Sequence, residues 1–142
     1  MPLLDDSTSG AANSPSRGVL WTGRVLGALP ALFLLMDAGM KLAKPAFVVD
    51  ATTKLGYPES VVVPLGIILL ICTILYILPP TAMLGAILLT GYLGGAVASH
   101  LRHGDALFSN VLFPTYVGIL LWVGLYLRDR RLRALVPLRA RG

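Results

Sequence analysis

The chain has 142 residues, enough for one domain, with 56% hydrophobic and only 13% charged positions. Soluble domains carry roughly 25% charged residues, and with a mean hydropathy of +0.77 this chain needs a lipid bilayer around it rather than water. The net charge of +5 sits largely in one block, RDRRLRALVPLRARG, beside an apolar run; lipid headgroups account for it, and nucleic acid is excluded as a partner.

The opening MPLLDDSTSGAANSPSR is small, polar and rich in Pro, Gly and Ser. It cannot bury enough apolar area to order itself, so residues 1–18 are read as a disordered cytoplasmic tail. No basic stretch leads into a cleavable apolar core there, and an uncleaved signal-anchor fits the apolar run that begins at Val19. Four apolar runs come next, Val19 to Met40, Val61 to Leu78, Thr81 to Ser99 and Val111 to Leu127. Each is close to the roughly 20 residues that cross a bilayer as a helix. They lack the polar alternation of a lipid-facing barrel strand. The fold expected is therefore all-α, an antiparallel bundle of four transmembrane helices over residues 19–127, with a basic cytoplasmic tail over 128–142.

LPPT at the end of the second run forces a tight hairpin, with Pro79 and Pro80 ending one helix and starting the next. Arg17, Arg24, Arg128, Arg130, Arg131, Arg133, Arg139 and Arg141 fall on one side of the membrane; Lys41, Lys44, Lys54 and Arg102 fall on the other. The arginine-rich side is expected to be cytoplasmic, placing both termini inside a bacterial inner membrane. Trp21, Trp122 and Tyr126 fall near that boundary.

In the third span, Ala82, Ala86, Thr90, Gly94 and Ala98 recur every fourth residue beside Gly91, Gly95 and Ser99. Such a face lets membrane helices approach closely, so Gly91, Gly94, Gly95 and Ala98 are expected to form the central packing surface. The Thr90 hydroxyl has two readings, a bond to the carbonyl one turn back or a bond to a partner helix or ligand. Tyr92, Ala96 and His100 form a separate row leading up to the histidine.

Asp37, Lys41, Glu59, His100, Arg102, His103 and Asp105 should converge on one end of the bundle. Asp37 and Lys41 stand four residues apart on one helix and can pair, which an acid inside a span requires. The pair, alone or with Arg102, could be purely structural. Histidine as a residue type exchanges protons near neutral pH, so His100 is a candidate proton-transfer group. Two histidines with loosely placed acids lack a metal-ligand pattern, so no metal is expected. Cys72 is the single cysteine; it is read as a small buried apolar residue, and it rules out dithiol chemistry.

FLLMDAGMKLAKP, then LGYPESVVVPLGIILLICTILYILPPTAMLGAILLTGYLGGAVASHLRHGD, then LFPTYVGILLWVGLYLRD resemble the DoxX-like family of small, mainly bacterial four-helix membrane proteins. The resemblance covers about Arg24 to Leu138, and LGAILLTGYLGGAVASHLR is its most specific block. It implies a four-helix bundle in the cytoplasmic membrane. Asp37, Lys41, Gly56, Tyr57, Pro58, Thr90, Gly91, Gly94, Gly95, His100, Arg102, Pro114 and Trp122 match its pattern, while Pro80 stands where a basic residue is expected. The family is named for a subunit associated with quinone-linked sulfur oxidation, a role the resemblance does not carry over.

The leading expectation is a binding protein or redox accessory subunit. A lipophile such as a quinone would enter between helices with its polar head near Asp37, Lys41, Thr90, Tyr92, His100 and Arg102. His100 would hydrogen-bond the head, and Lys41 and Arg102 would stabilise negative charge on it. Without a haem pair, cysteine cluster or flavin motif, electrons would come from a membrane redox partner, so no cofactor of its own and no stand-alone enzyme is expected. A structural or assembly subunit, a homo-oligomer included, and a small transporter are the alternatives. A vitamin K epoxide reductase-like bundle fails on cysteine count.

Overall fold

The computed structural model describes residues 15–136 and residue 138, and four of its helices are long and apolar enough to span a bilayer. Residues 1–14 of the expected tail, and Arg139 and Arg141 of the basic end, lie outside the described residues. Arg17 and Gly18 are already helical, because the Ser16 hydroxyl accepts the Val19 N–H at 3.3 Å and caps α1 (Arg17–Ala43). Lys44 ends α1 in the left-handed region at φ 52°, and Pro45 cannot continue it.

The next element, α2 (Ala46–Lys54), has no counterpart in the apolar runs. It is too short to span, and it buries Val48 and Thr52, one turn apart. A 3-10 turn at Glu59–Val61 leads into α3 (Val62–Ile77), and a second at Pro79–Thr81 makes the tight turn into α4 (Ala82–His103). After a single π-type turn at Leu107–Val111 come α5 (Phe113–Arg128) and a short α6 (Arg130–Leu135). Asp129 separates the last two and caps α6, accepting the Arg131 N–H at 2.8 Å.

The spanning helices form a ring: α1 packs on α3 and α5, and α4 packs on the same two neighbours. The start of α1, the α3–α4 turn and the end of α5 share one end of the bundle, here the terminal end. The connections carrying α2 and the π-type turn share the other, the loop end.

Backbones come closest at glycines other than those expected. A Cβ on Gly124 would lie 2.5 Å from the Gly27 nitrogen and 3.0 Å from the Gly23 carbonyl oxygen, so α1 and α5 touch backbone to backbone. Gly66 does the same for α3 against α1, 2.8 Å from the Lys41 Cβ. Gly85 sets α4 against the Tyr76 backbone of α3. Gly91, Gly94 and Gly95 instead have nothing within 4 Å of a built Cβ, and all three are exposed, as is Ala98. The packing expected of these four is therefore not made within the chain. α4 turns its Ala82, Gly85, Ala86, Leu89 and Leu93 face inward. In lipid a leucine gains as much inside as outside, so smallness alone does not choose the buried face.

The terminal end is sealed by polar contacts as well. The Tyr76 hydroxyl donates to the Leu121 carbonyl at 2.7 Å. Arg128 lies 4.8 Å over the Tyr76 ring and donates to the Tyr76 carbonyl at 3.1 Å, satisfying a helix-end acceptor.

Candidate functional site at the loop end

Towards the loop end the ring opens into a cavity of about 740 Å³. Its walls are Phe33, Leu34, Asp37, Met40 and Lys41 of α1, Tyr92, Ala96, Ser99 and His100 of α4, and Phe113, Pro114 and Val117 of α5; α2 roofs it with Phe47, Val48, Ala51 and Thr52. Most of that lining is apolar. Phe33 and Phe113 meet edge to face at 5.4 Å, joining the α1 and α5 walls.

Two ion pairs stand on different walls. On α1, the Lys41 ammonium donates to Asp37 Oδ1 at 2.5 Å, with both side chains largely buried (15% and 27% exposed). Four-residue spacing on one helix brings them together. At the end of α4 the pair follows from backbone geometry. Gly104, at φ 83°, takes the left-handed conformation that turns the chain back, and the Asp105 N–H bonds the His100 carbonyl at 3.1 Å. The Asp105 carboxylate is thereby carried to 2.6 Å from His100 Nδ1, with His103 Nε2 further off at 3.8 Å. The contact leaves Nε2 of His100 available, and a carboxylate on one ring nitrogen fixes what the other presents.

The residues singled out in the sequence divide into three groups. Asp37, Lys41, Tyr92 and His100 line the cavity, and Gly91 and Gly95 border it. Arg102 is not in the lining: its guanidinium donates to the Leu55 carbonyl at 3.0 Å and holds the turn after α2. Two residues past His100 is about 200° around a helix, so His100 and Arg102 cannot share a face. Thr90 is also outside the lining. It donates to the Ala86 carbonyl one turn back at 2.7 Å and accepts the Trp122 indole N–H from α5 at 2.7 Å. Glu59 pairs with Lys44 at 2.9 Å on the surface. Among the described residues no group of three His, Cys, Asp or Glu is placed to hold a metal ion.

The model of the DoxX-like family matches residues 25–124. The chain belongs to the DoxX-like family. That match runs from the first turns of α1 to Gly124 on α5 and takes in all four spanning helices with the cavity between them. Neither the curated proteins nor the solved structures contain a match to it. This DoxX-like chain is thus a multi-pass membrane protein.

Several cavity residues of the DoxX-like bundle were not singled out as site residues. Tyr57 hydrogen-bonds the Ser99 hydroxyl at 2.6 Å and ties the chain after α2 onto α4. His103 and Asp105 line the cavity, as do Phe47 and Lys54 of α2. A sequence signal for α2 exists in the one-turn spacing of Val48 and Thr52 between Pro45 and Gly56, too short to register against spans of bilayer length.

Proposed function

We propose that this DoxX-like protein binds a neutral, quinone-like lipophile in the loop-end cavity and serves a membrane redox system as an accessory subunit. The observation that carries this reading is the composition of the cavity. The cavity of about 740 Å³ has mostly apolar walls and ends in polar groups that already hold partners of their own, Lys41 with Asp37 and His100 with Asp105. With its histidines neutral, the lining has two carboxylates, Asp37 and Asp105, and two ammonium groups, Lys41 and Lys54, an even count that favours a neutral head over a phosphate or carboxylate. A carbonyl or hydroxyl head needs only hydrogen bonds, and ligand sites are typically apolar pockets with a few such groups.

His100 is the group to meet that head. With Asp105 on Nδ1, a neutral imidazole presents Nε2 as an acceptor for a hydroxyl; a protonated one presents Nε2–H to a carbonyl oxygen. Asp105 orients the ring. Lys41, held by Asp37, sets the charge of the facing wall. Electrons pass through a partner, since the residues around the cavity offer hydrogen bonds and protons alone. A through-passage for transport is less well supported, because the terminal end is closed by backbone contact at Gly23, Gly27, Gly85 and Gly124.

The test is binding of tailless 2,3-dimethoxy-5-methyl-1,4-benzoquinone to the purified protein in lipid nanodiscs. His100→Ala and Asp105→Asn are expected to weaken it about tenfold, the equivalent of one hydrogen bond to a charged group. Arg130→Ala, exposed at the terminal end and outside the lining, should leave it unchanged. Absence of saturable binding, or an equal loss from Arg130→Ala, would refute the site.

A further inference from the structure

We propose that the cavity opens sideways into the bilayer between α3 and α4, and that its ligand enters from the lipid phase with an apolar tail left in the gap at Gly91 and Gly95. This rests on the proposed ligand site and adds a route and a tail requirement to it.

The two helices touch at one end and both line the cavity towards the other. At the turn end α3 and α4 touch: a Cβ on Gly85 would fall on the backbone of Tyr76, and 2.7 Å from the Leu75 carbonyl carbon. Gly95 is about 15 Å further along α4 at 1.5 Å per residue, and neither it nor Gly91 has any atom within 4 Å of a built Cβ. At that level α4 presents bare backbone, with open space where a side chain would stand. The cavity is lined at that level by Gly91 and Gly95 on α4 and by Leu65 on α3.

Helical position shows where the gap leads. Relative to the fully buried Leu89, Gly91 and Gly95 stand about 160° and 120° around the helix, on the side turned away from the core. Both are exposed. A closed vestibule would be lined only by inward-facing residues. Lining that includes the outer side of α4 means that the cavity reaches the membrane-facing surface there.

The level of the opening decides its solvent. Gly91 lies about 13 Å below His100 along the helix, well inside the hydrocarbon. Above Gly95 the gap is bridged by the Tyr57–Ser99 hydrogen bond at 2.6 Å, and Ser99 also donates to the Gly95 carbonyl at 2.8 Å. The side door therefore faces acyl chains. A head held by His100 beneath α2 would leave its tail lying past Tyr92, over glycines that offer a smooth wall.

The experiment compares a decyl-tailed benzoquinone with its tailless parent by calorimetric titration of nanodisc-embedded protein, with the signal of empty nanodiscs subtracted. Gly95→Leu should raise the dissociation constant of the tailed ligand about tenfold, the scale of a few displaced methylenes, and leave the tailless one within about twofold. Gly94→Leu, on the same outer side but outside the lining, should change neither. Should Gly95→Leu fail to fold, Leu65→Trp on the facing helix carries the same expectation. Unchanged affinity for the tailed ligand, or equal losses for both ligands or for Gly94→Leu, overturns the side opening while leaving the site itself intact. A wild-type protein that binds neither ligand overturns the site reading and the opening with it.

Discussion

Alanine at Gly124 is a sharp perturbation of the packing between α1 and α5. The added Cβ would lie 2.5 Å from the Gly27 nitrogen, 2.7 Å from the Gly27 Cα and 3.0 Å from the Gly23 carbonyl oxygen. Favourable carbon contacts sit near 3.5–4.0 Å, so α1 and α5 would have to part by about 1 Å. All three atoms belong to helical backbone and cannot swing aside as a side chain would. Over-packing of this kind costs about 1–3 kcal/mol, only partly offset by the helix propensity that alanine gains over glycine, up to about 1 kcal/mol. At Gly94 the same substitution meets nothing within 4 Å, and only the propensity gain remains. Thermal unfolding in detergent, followed by helical circular dichroism, should place Gly124→Ala below wild type and Gly94→Ala at or above it. Equal losses would mean that the outer glycines pack after all and that α4 is rotated from the orientation described. Tolerance of alanine at Gly124 would refute the backbone contact between α1 and α5.

Two further outcomes are expected. In a double-mutant cycle, Asp37→Asn should cost less stability when Lys41 is already Met, with a coupling of about 0.5–3 kcal/mol for a contacting pair; additive losses would mean that the 2.5 Å contact contributes nothing. Reporter fusions at Gly142 and in the loop after Lys54 should place the carboxy terminus in the cytoplasm and the loop outside, in keeping with the distribution of basic residues, and the reverse pattern would move the cavity to the cytoplasmic face.

Much of the architecture was legible in the sequence for one reason: lipid penalises charge so heavily that the apolar runs had to be the spans. α1, α3, α4 and α5 follow from their length and composition, the hairpin from Pro79 and Pro80, and the Asp37–Lys41 pair from its four-residue spacing on one helix. Family membership was legible too, in blocks such as LGAILLTGYLGGAVASHLR. What the sequence left undetermined was rotation. A membrane helix can turn glycines or leucines to its neighbours at little difference in solvation, so the close approaches at Gly27, Gly85 and Gly124, and the open flank at Gly91 and Gly95, depend on how four helices fit at once. The same holds for the site. His100 and Asp105 were visible as a cluster, but the left-handed Gly104 and the fold of α2 brought them into a cavity with Asp37 and Lys41, while tertiary contacts drew Arg102 to Leu55 and Thr90 to Trp122. Sequence settled which residues could lie in lipid, because transfer from water is paid residue by residue; tertiary structure settled which of them meet, because packing is a property of all the helices together.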